Sequence, residues 1–87
     1  MAVRVVVTRQ IGRYLDCPPA EVEAGDLRGA LEAVFARTPK LRGYVLDDRG
    51  RVRRHVRVFV DGATESDLGR SLSDGAEVYI MQSLTGG

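Results

Sequence analysis

Asp26-Leu27-Arg28-Gly29-Ala30-Leu31-Glu32-Ala33-Val34-Phe35-Ala36-Arg37 reads as an α-helix, and the rest of the chain is organised around it. Leu27, Ala30, Leu31, Val34 and Phe35 recur at i, i+3, i+4, i+7 and i+8, which makes one apolar stripe on a 3.6-residue repeat. Asp26 stands where a carboxylate accepts from a free backbone N–H of the first turn. Pro39 ends the run. A helix over residues 27–37 is about 16 Å long at ~1.5 Å per residue. Gly29 inside it costs ~1 kcal/mol against alanine, which predicts a close packing contact at that point.

Working outward, residues 3–9 alternate as a strand, with Val3, Val5 and Val7 on one face and Arg4, Val6 and Thr8 on the other. Residues 10–19 hold Gly12, Cys17, Pro18 and Pro19, the chemistry of a loop or hairpin turn, and residues 20–24 read as a second, short strand. After the helix, Tyr44-Val45-Leu46 is expected to be a strand, and Asp47-Asp48-Arg49-Gly50 a turn whose glycine takes positive φ. Residues 55–60 form the next strand, with Val56, Val58 and Val60 sharing a face, and Asp61-Gly62 closes it. Residues 63–73 are irregular, with a helical turn at 66–69. Ser73-Asp74-Gly75 turns into a last strand over residues 77–81.

The order is ββα followed by two or more strands: α+β, with one main helix packed on a mixed four- to five-stranded sheet. In a chain of 87 residues the most economical arrangement of that order is a ubiquitin-like β-grasp roll. Its link from the second strand through the helix to the third is expected to be a right-handed crossover. The division is a β-grasp domain over 1–81 and a flexible C-terminal tail over 82–87.

Composition narrows the function. A net charge of +1 gives no long-range pull on nucleic acid or membrane. No apolar run nears the ~20 residues that span a bilayer, and the first residues are too short and too alternating for a signal peptide. A cytoplasmic protein is expected. One cysteine, Cys17, and one histidine, His55, leave no internal disulfide and no soft-metal ligand set. No nucleophile–base pair or phosphate loop is visible either.

The end of the chain is Gly86-Gly87. With 10 glycines in 87 residues, such an end arises by accident roughly once in 75 chains. Two residues without Cβ leave the last carbonyl unshielded, suited to a narrow channel.

Val58-Phe59-Val60-Asp61-Gly62, then Leu72-Ser73-Asp74-Gly75-Ala76-Glu77-Val78-Tyr79-Ile80, then Leu84-Thr85-Gly86-Gly87 resemble the bacterial ubiquitin-like sulfur carriers of the MoaD/ThiS type. These include the molybdopterin synthase small subunit and the thiamine and cysteine-pathway carriers. The resemblance implies a carrier that is not itself an enzyme and binds no cofactor. An activating adenylyltransferase/sulfurtransferase, similar to ubiquitin-activating enzymes, uses ATP and Mg²⁺ to adenylate the carboxylate of Gly87. Sulfur then replaces AMP, and the thiocarboxylate serves a downstream synthase. Gly86, Thr85 and Leu84 thread into the partners' sites, and Met81 and Phe59 dock on them. Gln82-Ser83 stands where many relatives carry proline, and the basic turn over 47–57 leans toward the molybdopterin or cysteine-pathway types.

Two other functions fit the same residues. One is a protein modifier that joins Gly87 to lysine by an isopeptide bond; the other is a β-grasp module that holds protein or RNA on its sheet. Arg51, Arg53, Arg54 and Arg57 read first as a solvated hairpin edge that discourages edge pairing. The alternative is a patch for an acidic partner surface or RNA, although stacking platforms for bases are scarce. His55 reads as structural or exposed, Cys17 as inert without a nearby cation, and Tyr14, Tyr44 and Tyr79 as packing or interface residues. Glu65, Asp67, Asp74 and Glu77 are expected to cluster as solvated acids near the last turn.

Overall fold

The computed structural model describes residues 1–8 and 18–82. Arg9 of the expected first strand, residues 10–17 of the expected loop over 10–19, with Tyr14 and Cys17, and the tail residues 83–87 lie outside them. Among the described residues there are five strands and two helices: β1 (Ala2–Val7), β2 (Ala20–Glu23), α1 (Leu27–Arg37), α2 (Leu41–Val45), β3 (Val56–Val60), β4 (Ala63–Thr64) and β5 (Glu77–Gln82).

The main helix has the bounds its apolar period predicts. Leu27, Ala30, Leu31, Val34 and Phe35 are its buried residues. Its opening accounts for every early N–H, groups that have no partner inside a helix. Leu27 N–H donates to Arg70 O at 2.9 Å and Arg28 N–H to Leu68 O at 2.8 Å, while Gly29 N–H donates to Asp26 Oδ1 at 2.8 Å. Gly29 is the expected close contact: a Cβ there would stand 3.0 Å from Asp26 Oδ1 and 3.5 Å from Ala24 Cβ. Asp26→Ala removes the cap and is expected to cost about 1 kcal/mol, read as a lower urea midpoint at unchanged slope.

The sheet runs β2-β1-β5-β3-β4. β1 and β5 lie parallel at its centre, with Val5 opposite Val78 and Val7 opposite Ile80. The pairs β1–β2, β5–β3 and β3–β4 are antiparallel. Alternation along the strands sends Val3, Val5, Val22, Val56, Val58, Val60, Val78 and Ile80 into one core with the apolar face of α1. The other sheet face is left without a covering element among the described residues.

Turns follow their glycines. Gly50, Gly62 and Gly75 have φ of 77°, 88° and 84°. Asp61, at φ 50°, precedes Gly62 in the two-residue β3–β4 turn, the left-handed pair that matches strand twist.

Three expectations are corrected. Tyr44-Val45-Leu46 is not a strand: residues up to Val45 belong to α2, and only Leu46 bridges, to Val52. Leu41 and Val45, four apart and both fully buried, satisfy one helical face, and burial outweighs the β preference of Tyr-Val-Leu. The helical turn at 66–69 is a β-turn closed by Arg70 N–H to Asp67 O at 3.1 Å, with Asp67 Oδ1 accepting from Gly69 N–H at 2.8 Å; aspartate makes this local bond in competition with helix. Ala63 and Thr64, at the start of the stretch expected to be irregular, form β4, since the Asp61-Gly62 turn delivers them beside Val60 and Phe59. β3 starts at Val56, leaving His55 exposed in the preceding turn, and β5 continues through Gln82.

Candidate functional site

The uncovered sheet face and the exit of β5 form the candidate site. Because Val56, Val58 and Val60 point to the core, Arg57 and Phe59 point outward; by the same alternation so do Glu77, Tyr79 and Met81 of β5 and Arg4 and Val6 of β1. The register sets these residues in rows. Val6 lies opposite Tyr79, Tyr79 opposite Phe59, and Phe59 opposite Thr64. The result is an apolar band across four strands, in which Val6 and Phe59 are half-buried and Tyr79 is 36% exposed. Toward the exit, Met81 lies opposite Arg57 and Gln82 opposite Val56. On the other side of the band, Arg4 stands between Glu21 and Glu77, opposite charges set across neighbouring strands.

Met81 and Phe59, singled out in the sequence, are thus on one face, next to one another's strands. Leu84, Thr85, Gly86 and Gly87 lie outside the described residues. Sequence reading did not gather Val6, Tyr79 and Thr64 into this face. Val6 was visible as an apolar residue on the polar side of β1, but the parallel β1–β5 pairing that sets it beside Tyr79 has no local signature.

The arginines surround the exit. Arg57 donates to Arg54 O at 2.8 Å and to Val56 O at 3.1 Å. These carbonyls belong to the turn before β3 and to its first residue, beyond the two-residue β4, which pairs with Phe59 and Val60. Arg53 Nε donates to Gly43 O at 2.8 Å. An open depression of about 330 Å³ lies beside them, lined by Val52, Arg53, Arg54, Arg57, Thr64 and Glu65 among others. The four acids expected to cluster are split. Asp74 and Glu77 stand at the start of β5, whereas Glu65 pairs with Arg70 at 3.1 Å and Asp67 caps its own turn.

Two carboxylates are held below their ordinary range. Asp47 accepts from the backbone N–H of Arg51 and of Arg49, at 3.0 and 2.9 Å, which favours its charged form. Glu65 accepts from the N–H of Asp67 and from Arg70. A lowered folded-state pKa adds stability that is present above the unfolded value and lost as pH falls through the folded one. Thermal stability is therefore expected to drop on acidification below about pH 4, and Asp47→Asn is expected to flatten that drop in melts taken across the range.

Among the described residues no three His, Cys, Asp or Glu side chains gather to hold a metal ion, and no helix is long and apolar enough to cross a membrane. The geometry suits contact between surfaces.

A helix across a mixed sheet of this order, with first and last strands parallel at the centre, is the ubiquitin-like β-grasp fold. The solved structures similar to the chain have it. SAMP1 from Haloferax volcanii superimposes with a TM-score of 0.85 at 20% identity, covering 100% of both chains. A chain of the BexX/CysO complex from Amycolatopsis orientalis gives 0.78 at 17% identity, over 99% of this chain and 100% of that one. A chain of the complex of subunits 1 and 2 of the Helicobacter pylori molybdopterin-converting factor gives 0.69 at 18%, covering 100% of both. No protein-family model matches the chain, and no curated protein does.

Proposed function

We propose that the chain is a sulfur carrier of the MoaD/ThiS type, a co-substrate of other enzymes rather than a catalyst. The observation that carries the reading is the conjunction of a full-length β-grasp fold with a sequence that continues from β5, at Gln82, to Gly86-Gly87. Residues 83–87, beyond the last paired residue Gln82, span ~17 Å when extended, which reaches a neighbour's active site while the sheet docks outside it. Phe59 and Met81 belong to that docking face; Leu84, Thr85 and Gly86 thread the channel.

A carboxylate is a poor electrophile, so Gly87 is first activated. Its oxygen attacks the α-phosphorus of ATP, bound with Mg²⁺ by the activating enzyme, and pyrophosphate leaves. Hydrosulfide, or a persulfide whose S–S bond a second thiol then reduces, attacks the acyl carbon and expels AMP. The thiocarboxylate on Gly87 is anionic at neutral pH and donates its sulfur to an electrophile held by the accepting synthase. That neighbours of the same fold are found in two-component complexes, BexX/CysO and the two molybdopterin-converting subunits, supports a partner of this kind. Which metabolite receives the sulfur is decided by the pocket of that partner.

A neighbour of the same fold is a small archaeal modifier protein, which favours a second outcome of the same activation: attack by a lysine amine and an isopeptide bond. Intact mass separates the two. The protein is isolated from its own cells and also incubated with ATP, Mg²⁺, sulfide and candidate activating enzymes. A gain equal to exchange of one oxygen for sulfur, mapped to the peptide ending in Gly87, is the expected result. Higher-mass conjugates in its place establish the modifier, and neither change with any activator overturns both.

A further inference from the structure

The docking face is charged differently at its two ends. The start of β5 gathers exposed acids, Glu77 on β5, Asp61 just after β3 and Asp74 in the turn before β5, against one arginine, Arg4 of β1, opposite Glu77; Glu23, across β1, pairs with the Met1 amino group at 3.1 Å. Glu77 N–H donates to Asp61 Oδ1 at 2.9 Å, and Ala2 N–H to Asp74 Oδ1 at 2.8 Å, so two of these carboxylates are fixed in place. The end of β5 faces the arginines. Residues 47–57 hold five arginines against Asp47 and Asp48, and the ion pair recorded there is Arg51–Asp47 at 3.9 Å. Glu77 and Gln82 are ~17 Å apart along the strand, about two Debye lengths at physiological salt, so a partner meets the two ends as separate fields.

We infer that this polarity orients the partner: the Arg53, Arg54 and Arg57 cluster beside the tail's exit takes an acidic protein surface that rims the entrance to the partner's active site. The inference rests on the carrier reading for the identity of that partner, and on the sheet alone for the chemistry of the surface. Arg53 and Arg57 are already tied to backbone carbonyls, so part of their ordering cost is met before binding, and guanidinium forks match carboxylates in geometry. A nucleic acid fits less well. Its phosphates, running along the strands, meet Glu77 and Asp74 at the far end, and the apolar row between the charges asks for apolar side chains. Rotating a protein partner by half a turn sets like charges together, so only one docking register brings the tail to the entrance.

The test is an amide NMR titration of the ¹⁵N-labelled full chain with hexaglutamate, hexalysine, decauridylate and sodium phosphate in turn. Hexaglutamate is expected to give saturable shifts over residues 53–57 and at Gln82, weakened several-fold between about 20 and about 200 mM NaCl. Arg54→Glu, at an exposed turn residue, is expected to remove them. Lys40→Glu makes the same change of net charge elsewhere and is expected to leave them in place. Equal weakening by both variants, or tighter binding of decauridylate or phosphate to the same amides, overturns the proposal; so does the absence of saturable shifts. Because the titration needs no ATP and no sulfur chemistry, a carrier that fails the mass assay and a face that fails to hold acid are told apart. With an activating enzyme found by that assay, Arg54→Glu is expected to lower the association rate about tenfold at low salt, and an unchanged rate counts against the inference.

Discussion

A chain shortened by Gly86 and Gly87 is expected to lose sulfur loading entirely and to melt within a few degrees of the full chain. The chemical half of that expectation follows from reach and shape. Removing two residues withdraws the terminal carboxylate by about 7 Å, whereas a misplacement of ~1 Å already costs on the order of a hundredfold in rate. It also makes Thr85 the terminus, and a β-branched side chain shields the carbonyl that glycine leaves open. The stability half follows from where the core is. Among the described residues the buried apolar core runs from Val3 to Ile80, and surface changes away from such features stay within about 0.5 kcal/mol. Intact mass after incubation with activator, ATP and sulfide reads the first half, and a thermal melt the second. A shortened chain that still gains sulfur removes the assigned role from Gly87. One that melts much lower places the glycines in the fold rather than at a partner.

Ile80→Ala is expected to have the opposite profile. Ile80 is fully buried at the centre of β5, opposite Val7 on one side and Val58 on the other. Truncation leaves a cavity between two central strands, and such a change costs about 2–5 kcal/mol. In a domain of this size each kcal/mol moves the melting temperature by roughly 4–8 °C, so a fall of at least about eight degrees is expected. Tyr79, the next residue along, points outward, and Tyr79→Ala is expected to move stability by a fraction of that. Equal effects at the two positions, measured by urea titration, would show that the second sheet face is also buried in solution.

That alternation was already readable in Glu77-Val78-Tyr79-Ile80-Met81, as it was in Val56, Val58 and Val60, because a strand's period is a local property. So were α1, with its cap and its glycine, and the positive φ at Gly50. The misreadings fall where local preference and burial disagree. Tyr44-Val45-Leu46 has strand chemistry, yet Val45 is held by Leu41 one helical turn earlier. Asp67 looked helical in context and uses its side chain to make a turn. β4 exists only because Asp61-Gly62 brings two ordinary residues beside β3. The candidate face was half readable. Phe59 and Met81 came from a resemblance, whereas Tyr79 and Val6 joined them through the β1–β5 pairing, which unites opposite ends of the chain and leaves no trace in any short window. The polarity of the face has the same origin, since Asp61 and Glu77 are far apart in sequence and meet only in the sheet.

That central parallel pair also bears on how the protein is made. β1 leaves the ribosome first and β5 last, so the middle of the sheet stays open until synthesis has passed Gln82. A chain interrupted before Glu77 has β1 and β3 with no strand between them, and their valines remain wet. Such fragments are expected to be open to proteases, because long-range pairing of this kind is rewarded only after its loop-closure cost is met. The assembled sheet is in this way a check on completeness, because a chain lacking β5 has no central strand to join β1 to β3.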